Sequence, residues 1–249
     1  MNTILAALDN SAASRPVLTM ACALAPTLGA TVQAVHVDDG PGTTARAEAA
    51  HLGLPLRVLS GDPLERIRDV ASHEDVVAVV VGSRGRLRGR DPAGHVALEL
   101  ADCMTKPVVM VPPDADPPER LRTVLVAMKG ASKARGIKRA VKIVLDAGIE
   151  LVVVHVDEED TIPAFSDQVQ HETEAYAREF LARYYEGATV ARFETRVGVP
   201  AEEIIDAAHS LKAGLIAVGW PQSPEPGRGA VAREIVDRSP VPVLLLAVA

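Results

Sequence analysis

The chain has 249 residues, 48% apolar and 24% charged, which suits a protein of two ordinary domains that each bury a core. A net charge of −7, spread over both halves, excludes a polybasic nucleic-acid or membrane-surface binder, and an aromatic content of 3% leaves few platforms for stacking bases. The longest apolar runs, such as Val241–Ala249, are far too short to cross a bilayer. The first residues enter a strand almost at once: Ile4–Leu8 is a continuous apolar run with no signal-peptide pattern before it. Ser11 or Ser14 followed by Pro16 reads as a helix N-cap with proline in the first turn, and Gly29 as the residue just past that helix. Pro26, near the end of the same helix, predicts a kink or an early stop. Gly61-Asp62-Pro63 opens a helix whose Leu64, Ile67 and Val70 form a buried stripe. Val76–Val81 is a second continuous apolar run, as expected of parallel strands covered on both faces. Lys106-Pro107 leads into a last strand, Val108–Val111, and the four prolines of Pro112–Arg120 make a stiff linker. Cys22 and Cys103 lie in helical patterns without C-x-x-C spacing, and read as buried small apolar residues of a cytoplasmic protein.

Beyond the linker the pattern starts again. Thr3–Asp9 recurs as Thr123–Lys129, Leu28–Asp39 as Ala147–Glu158, Gly61–Ser72 as Gly198–His209, and Lys106–Pro112 as Val241–Ala247, in the same order. The offsets are 120, 119, 137 and 135, so the second copy carries about 18 extra residues within Pro163–Thr189. That segment reads as a helix, with Phe165, Val169, Tyr176, Phe180 and Leu181 at roughly helical spacing. Each copy reads strand, helix, strand, helix, strand, helix, strand, which is a doubly wound α/β sheet. The expected units are residues 1–113 and 119–249. Their final strands, Val108–Val111 and Val243–Val248, are apolar sheet edges that should cover each other across a pseudo-twofold axis.

In such sheets ligands sit beyond the carboxyl ends of the strands, where the strand order reverses. The first strand closes on Asp9, with Asn10 and Ser11 following. The Val76–Val81 run leads into Gly82-Ser83-Arg84-Gly85, and a helix start is expected near Gly94. A glycine-rich turn between a strand and a helix lets backbone N–H groups approach phosphate and sets the helix N-terminus against it. Arg84, Arg86, Arg88 and Arg90 place four cations within seven residues, enough to matter for a triphosphate.

The combination of Asp9, His36-Val37-Asp38, Gly61-Asp62-Pro63 and Val79-Val80-Val81-Gly82-Ser83-Arg84-Gly85 resembles the universal stress protein family, in its tandem two-domain form. The resemblance implies two doubly wound parallel five-stranded sheets in tandem, Rossmann-like and similar to the adenine-nucleotide alpha hydrolase fold. It implies a stress-response protein that binds an adenine nucleotide, ATP, in the first copy; whether magnesium accompanies it is left open. Asp9 would hold the ribose or adenine end and Val37 would line the adenine pocket. Gly82, Gly85, Gly94, His95 and Val96 would contact the phosphates, with Arg84 contributing charge. Only eight residues separate Gly85 from Gly94, one fewer than in the family's loop, and His95 stands where serine or threonine is usual.

The second copy departs further. Lys129 replaces the aspartate, Gln222 stands in the place of Gly85, and three prolines enter the loop at 221, 224 and 226. Gly227-Arg228-Gly229-Ala230-Val231-Ala232 matches G-x-G-x-x-A but does not follow a strand directly, and reads as a remnant phosphate loop. One nucleotide per chain is therefore expected. His36 and His155 occupy equivalent positions, which favours a structural role, and no H-E-x-x-H, G-x-S-x-G or Walker lysine is present. Asp38-Asp39 and Glu158-Glu159-Asp160 read as solvated loop ends. An adenylating enzyme would want glycines after the first strand, and Leu8–Ser14 has none. The expected action is binding and regulation, at most with weak ATPase activity, toward a protein partner that the sequence does not name. A homodimer is left open. The alternative is a nucleotide-free partner-binding module with both pockets decayed.

Overall fold

The computed structural model describes residues 1–37, 43–83, 95–128, 135–157, 191–222 and 229–248. The first half contains β1 (Asn2–Leu8), α1 (Ser14–Leu28), β2 (Ala30–Val37), α2 (Thr43–His51), β3 (Leu56–Leu59), α3 (Pro63–Ala71), β4 (Val76–Gly82), α4 (His95–Cys103) and β5 (Val108–Val111). The second contains β6 (Thr123–Ala127), α5 (Arg135–Asp146), β7 (Glu150–Asp157), β8 (Ala191–Val197), α6 (Pro200–Ser210), β9 (Leu215–Pro221), α7 (Ala230–Arg238) and β10 (Val243–Val248). The helix read within Pro163–Thr189 lies outside the described residues.

Within each half the strands pair in parallel, in the order β3-β2-β1-β4-β5 and its counterpart β8-β7-β6-β9-β10. The doubly wound α/β architecture follows. β5 and β10 then join antiparallel, with Val243 opposite Met110, Leu244 opposite Val109 and Leu245 opposite Val108, so the two five-stranded units make one ten-stranded sheet. The edge pairing expected from the apolar final strands is present. Because the join is antiparallel, the carboxyl ends of one half's strands lie beside the amino ends of the other's.

Alternation along each strand sorts the core into two layers. Leu5, Val79, Met110, Leu125, Ile216 and Leu245 face α3, α4, α6 and α7. Ile4, Val80, Val109, Val126 and Leu246 face α1 and α5.

Two short-range signals in the first copy behave as their chemistry predicts. Gly29 ends α1 at φ 55°, and its N–H donates to the carbonyls of Ala25 and Pro26. Asp62 caps α3 by accepting from the Glu65 N–H at 3.0 Å, with Pro63 at the first turn. In the second copy Val199 takes the cap position and makes no side-chain bond, while Gly198 keeps the positive φ of Gly61. The backbone turn is retained and the cap is lost.

Four readings need correction. Neither Ser11 nor Ser14 is the N-cap of α1: Ala13 holds that position, the Ser11 hydroxyl accepts from the Ala13 N–H at 3.1 Å, and the Ser14 hydroxyl donates back to the Asp9 carbonyl. The helix does not stop at Pro26 but runs to Leu28, because a proline so close to the end interrupts little of the ladder beyond it. The residue-by-residue reading missed α2, and it missed β3, whose four residues Leu56–Leu59 sit at the sheet edge, half-buried or exposed, without a continuous apolar run. The cysteines are not both buried: Cys22 is half-buried and Cys103, the last residue of α4, is exposed. Burial also pushes the Cys22 thiol above its usual range. A thiol reagent at pH 8 is therefore expected to label Cys103 first, with Cys22 lagging until denaturant is added. Equal rates by mass spectrometry would contradict this placement.

Candidate functional site

The first half reverses its strand order between β1 and β4, the topological position at which doubly wound sheets place their ligands, beyond the strands' carboxyl ends. The register sets Leu8 beside His36 on one side and Ala7 beside Val81 on the other. Asp9, Val37 and Gly82 therefore arrive at the same end of three adjacent strands. Asp9 is half-buried and held by its own turn: its Oδ1 accepts from the Ser11 N–H at 3.0 Å and from the Ser11 hydroxyl. Val37 is buried in the layer shared with α3 and α4. His95 is the first residue of α4, and Val96 packs against that same layer. Arg84, Gly85 and Gly94 lie outside the described residues.

Two further features appear here, the first of them not singled out by the sequence. Ser83 extends the β4–β5 pairing through its N–H to the Val111 carbonyl at 2.8 Å, and the residue is 2% exposed. Among the described residues its hydroxyl has no hydrogen-bond partner, an arrangement that normally costs about 1–3 kcal/mol. A buried hydroxyl of this kind beside Gly82 suits a polar ligand at the β4 end. The buried His36 places Nδ1 2.9 Å from the Leu8 carbonyl and Nε2 3.4 Å from the Asn10 amide nitrogen, which ties the end of β1 to β2. His155 repeats the first contact, with Nδ1 3.0 Å from the Met128 carbonyl, and the shared geometry agrees with a structural role for both rings.

The corresponding end of the second half is engaged by protein groups. Trp220 occupies the position of Ser83 and is 1% exposed. Its Nε1–H donates to Asp102 Oδ1 at 2.9 Å, and the Arg233 guanidinium lies 4.6 Å over its ring. Gln222 donates to the carbonyls of Ala101, at 3.3 Å, and Met104. Gly229, within the G-x-G-x-x-A match, has φ 78°, and a Cβ built there would lie 3.0 Å from the Pro221 ring. Proline and the left-handed backbone account for that glycine without a dinucleotide. Lys129 lies outside the described residues.

A doubly wound α/β chain with two switch points, one lined by Asp9, Val37, Gly82 and the start of α4, defines a class of small α/β proteins whose ligand site lies at the strand ends. The family model described as the universal stress protein family matches residues 120–247, and the chain belongs to that family. The match covers the second copy, in which the loop residues differ most from the expected pattern. No curated protein matches the sequence. Among solved structures, a universal stress protein from Archaeoglobus fulgidus aligns over 99% of this chain and 98% of its own, at 20% identity and a TM-score of 0.67. A putative universal stress protein from Pseudomonas aeruginosa aligns over 100% and 94%, at 16% identity and a TM-score of 0.69. At these identities the likeness is one of fold. Among the described residues, no helix is long and apolar enough to cross a membrane.

Proposed function

We propose that the protein is a cytoplasmic stress-response protein that binds one adenine nucleotide, ATP, at the β1–β4 crevice and acts by binding rather than catalysis. Residues 1–113 are the nucleotide-binding unit in this reading, and residues 119–249 are its folded partner. The observation that carries it is the asymmetry of the two switch points. The first sets the Asp9 carboxylate, Gly82, the Ser83 hydroxyl, without a partner among the described residues, and the start of α4 at one end of the sheet. The second commits the equivalent Trp220 and Gln222 to bonds with α4. Asp9 accepts hydrogen bonds from ribose hydroxyls, Val37 lines the adenine pocket, and Gly82, Arg84, Gly85, Gly94, His95 and Val96 hold the phosphates. Magnesium, where present, neutralises phosphate charge.

Calorimetry with ATP is expected to give one site per chain. Asp9→Ala, Gly82→Val and Arg84→Ala should each weaken it, the two charge losses by roughly 10- to 150-fold, as for a charge-assisted hydrogen bond. Two sites per chain, or unchanged affinity in all three variants, would refute this assignment. No heat with any adenine nucleotide would instead favour a partner-binding module with both pockets decayed.

A further inference from the structure

We propose that Trp220, Gln222 and Arg233 are positioning residues for the first half's phosphate site: they fix α4 from its carboxyl end, so that its amino end stays aimed at the ligand. This rests on the nucleotide reading above. α4 has nine residues, about 13 Å at 1.5 Å each, so a shift at one end is carried to the other. The antiparallel β5–β10 join is what brings the β9 carboxyl end beside the last turn of α4. There Gln222 donates to the carbonyls of Ala101 and Met104, groups that a helix leaves without internal partners at its end.

Asp102 makes the same point from electrostatics. A carboxylate in the last turn opposes the helix dipole, so it does not serve α4 alone. Its Oδ1 instead accepts the Trp220 Nε1–H at 2.9 Å and lies 3.6 Å from Arg233, which itself stacks on Trp220. Gln222 stands at the repeat position of Gly85. The substitution that removes a phosphate-loop glycine from the second copy thereby supplies the donor that holds the helix of the first. Loss of one site and support of the other are the same change.

The test uses the full chain and its variants Gln222→Ala and Trp220→Phe, with ATP and adenosine binding measured by calorimetry and competition beside thermal unfolding. A tilted α4 affects the phosphates and spares the nucleoside. ATP affinity is expected to fall about 5- to 20-fold while adenosine changes less than about twofold, the scale of one or two lost hydrogen bonds. Gln222→Lys should restore ATP affinity, since an ammonium donates to the same carbonyls and suits a helix carboxyl end. Trp220 is the single tryptophan, so ATP should shift its emission in the parent chain and not in Gln222→Ala. A drop in melting temperature with ATP and adenosine weakened equally, or ATP affinity left unchanged, would overturn the positioning role. A parent chain that binds neither ligand would overturn the nucleotide reading and this inference with it.

Discussion

Met110→Lys is expected to destabilise the protein by about 4–5 kcal/mol near neutral pH, the cost of burying the lysine in its neutral form when some 4–5 pKa units are taken off its ordinary value. Met110 is fully buried in the four-residue β5, with Val81 on one neighbouring strand and Val243 on the other, so the ammonium would enter the middle of the ten-stranded sheet. The sign of the pH dependence follows from the direction of that shift. The unfolded chain binds the proton more tightly, so the variant should gain stability as pH rises from about 6 to 10 and suffer the full penalty below about pH 5. Met110→Gln carries no such proton and should show no such slope. Urea unfolding across that pH range would decide it. A variant close to the parent at pH 7 would mean that β5 and β10 do not meet in solution.

Trp220→Ala is expected to cost about 3–5 kcal/mol, the range for removing a large aromatic side chain from a packed core. For a chain of this size that lowers the melting temperature by roughly 6–20 °C. The ring is 1% exposed and lies in the layer shared by both halves, so its loss leaves a cavity and takes the donor from Asp102. Trp220→Phe retains most of the ring and should cost less than half as much. Circular dichroism melts of the two variants separate the packing contribution from the hydrogen bond. An alanine variant that melts within 2 °C of the parent would show the ring to be dispensable to the core.

Much of the fold is legible in the residues because its signals are local. The ordered repeat, the apolar runs of β1 and β4, Gly29 at a left-handed turn and Asp62-Pro63 at a helix start each act within a few residues. Their chemistry reads the same in an isolated segment as in the folded chain. The meeting of β5 with β10 was also legible, since two apolar edge strands in one chain have a strong reason to cover each other. β3 was not, because an edge strand half-open to solvent carries little of the pattern that marks a buried one. Cys103 was misread because helical periodicity alone does not say which face of α4 the second half covers.

The candidate site divides along the same line. Asp9, Val37 and Gly82 stand at strand ends that the repeat locates, so the sequence by itself determined that these residues share one end of the first sheet and which copy keeps the carboxylate. Only the tertiary structure decided what became of the other copy. Gln222 looked like a missing glycine, and nothing in the sequence singled out Trp220 within β9. Their partners, Ala101, Asp102 and Met104, lie more than a hundred positions earlier in the chain, and come within reach only because an antiparallel join turns one half end-for-end against the other. Contacts at that separation are set by the packing of whole sheets, and no local propensity encodes them.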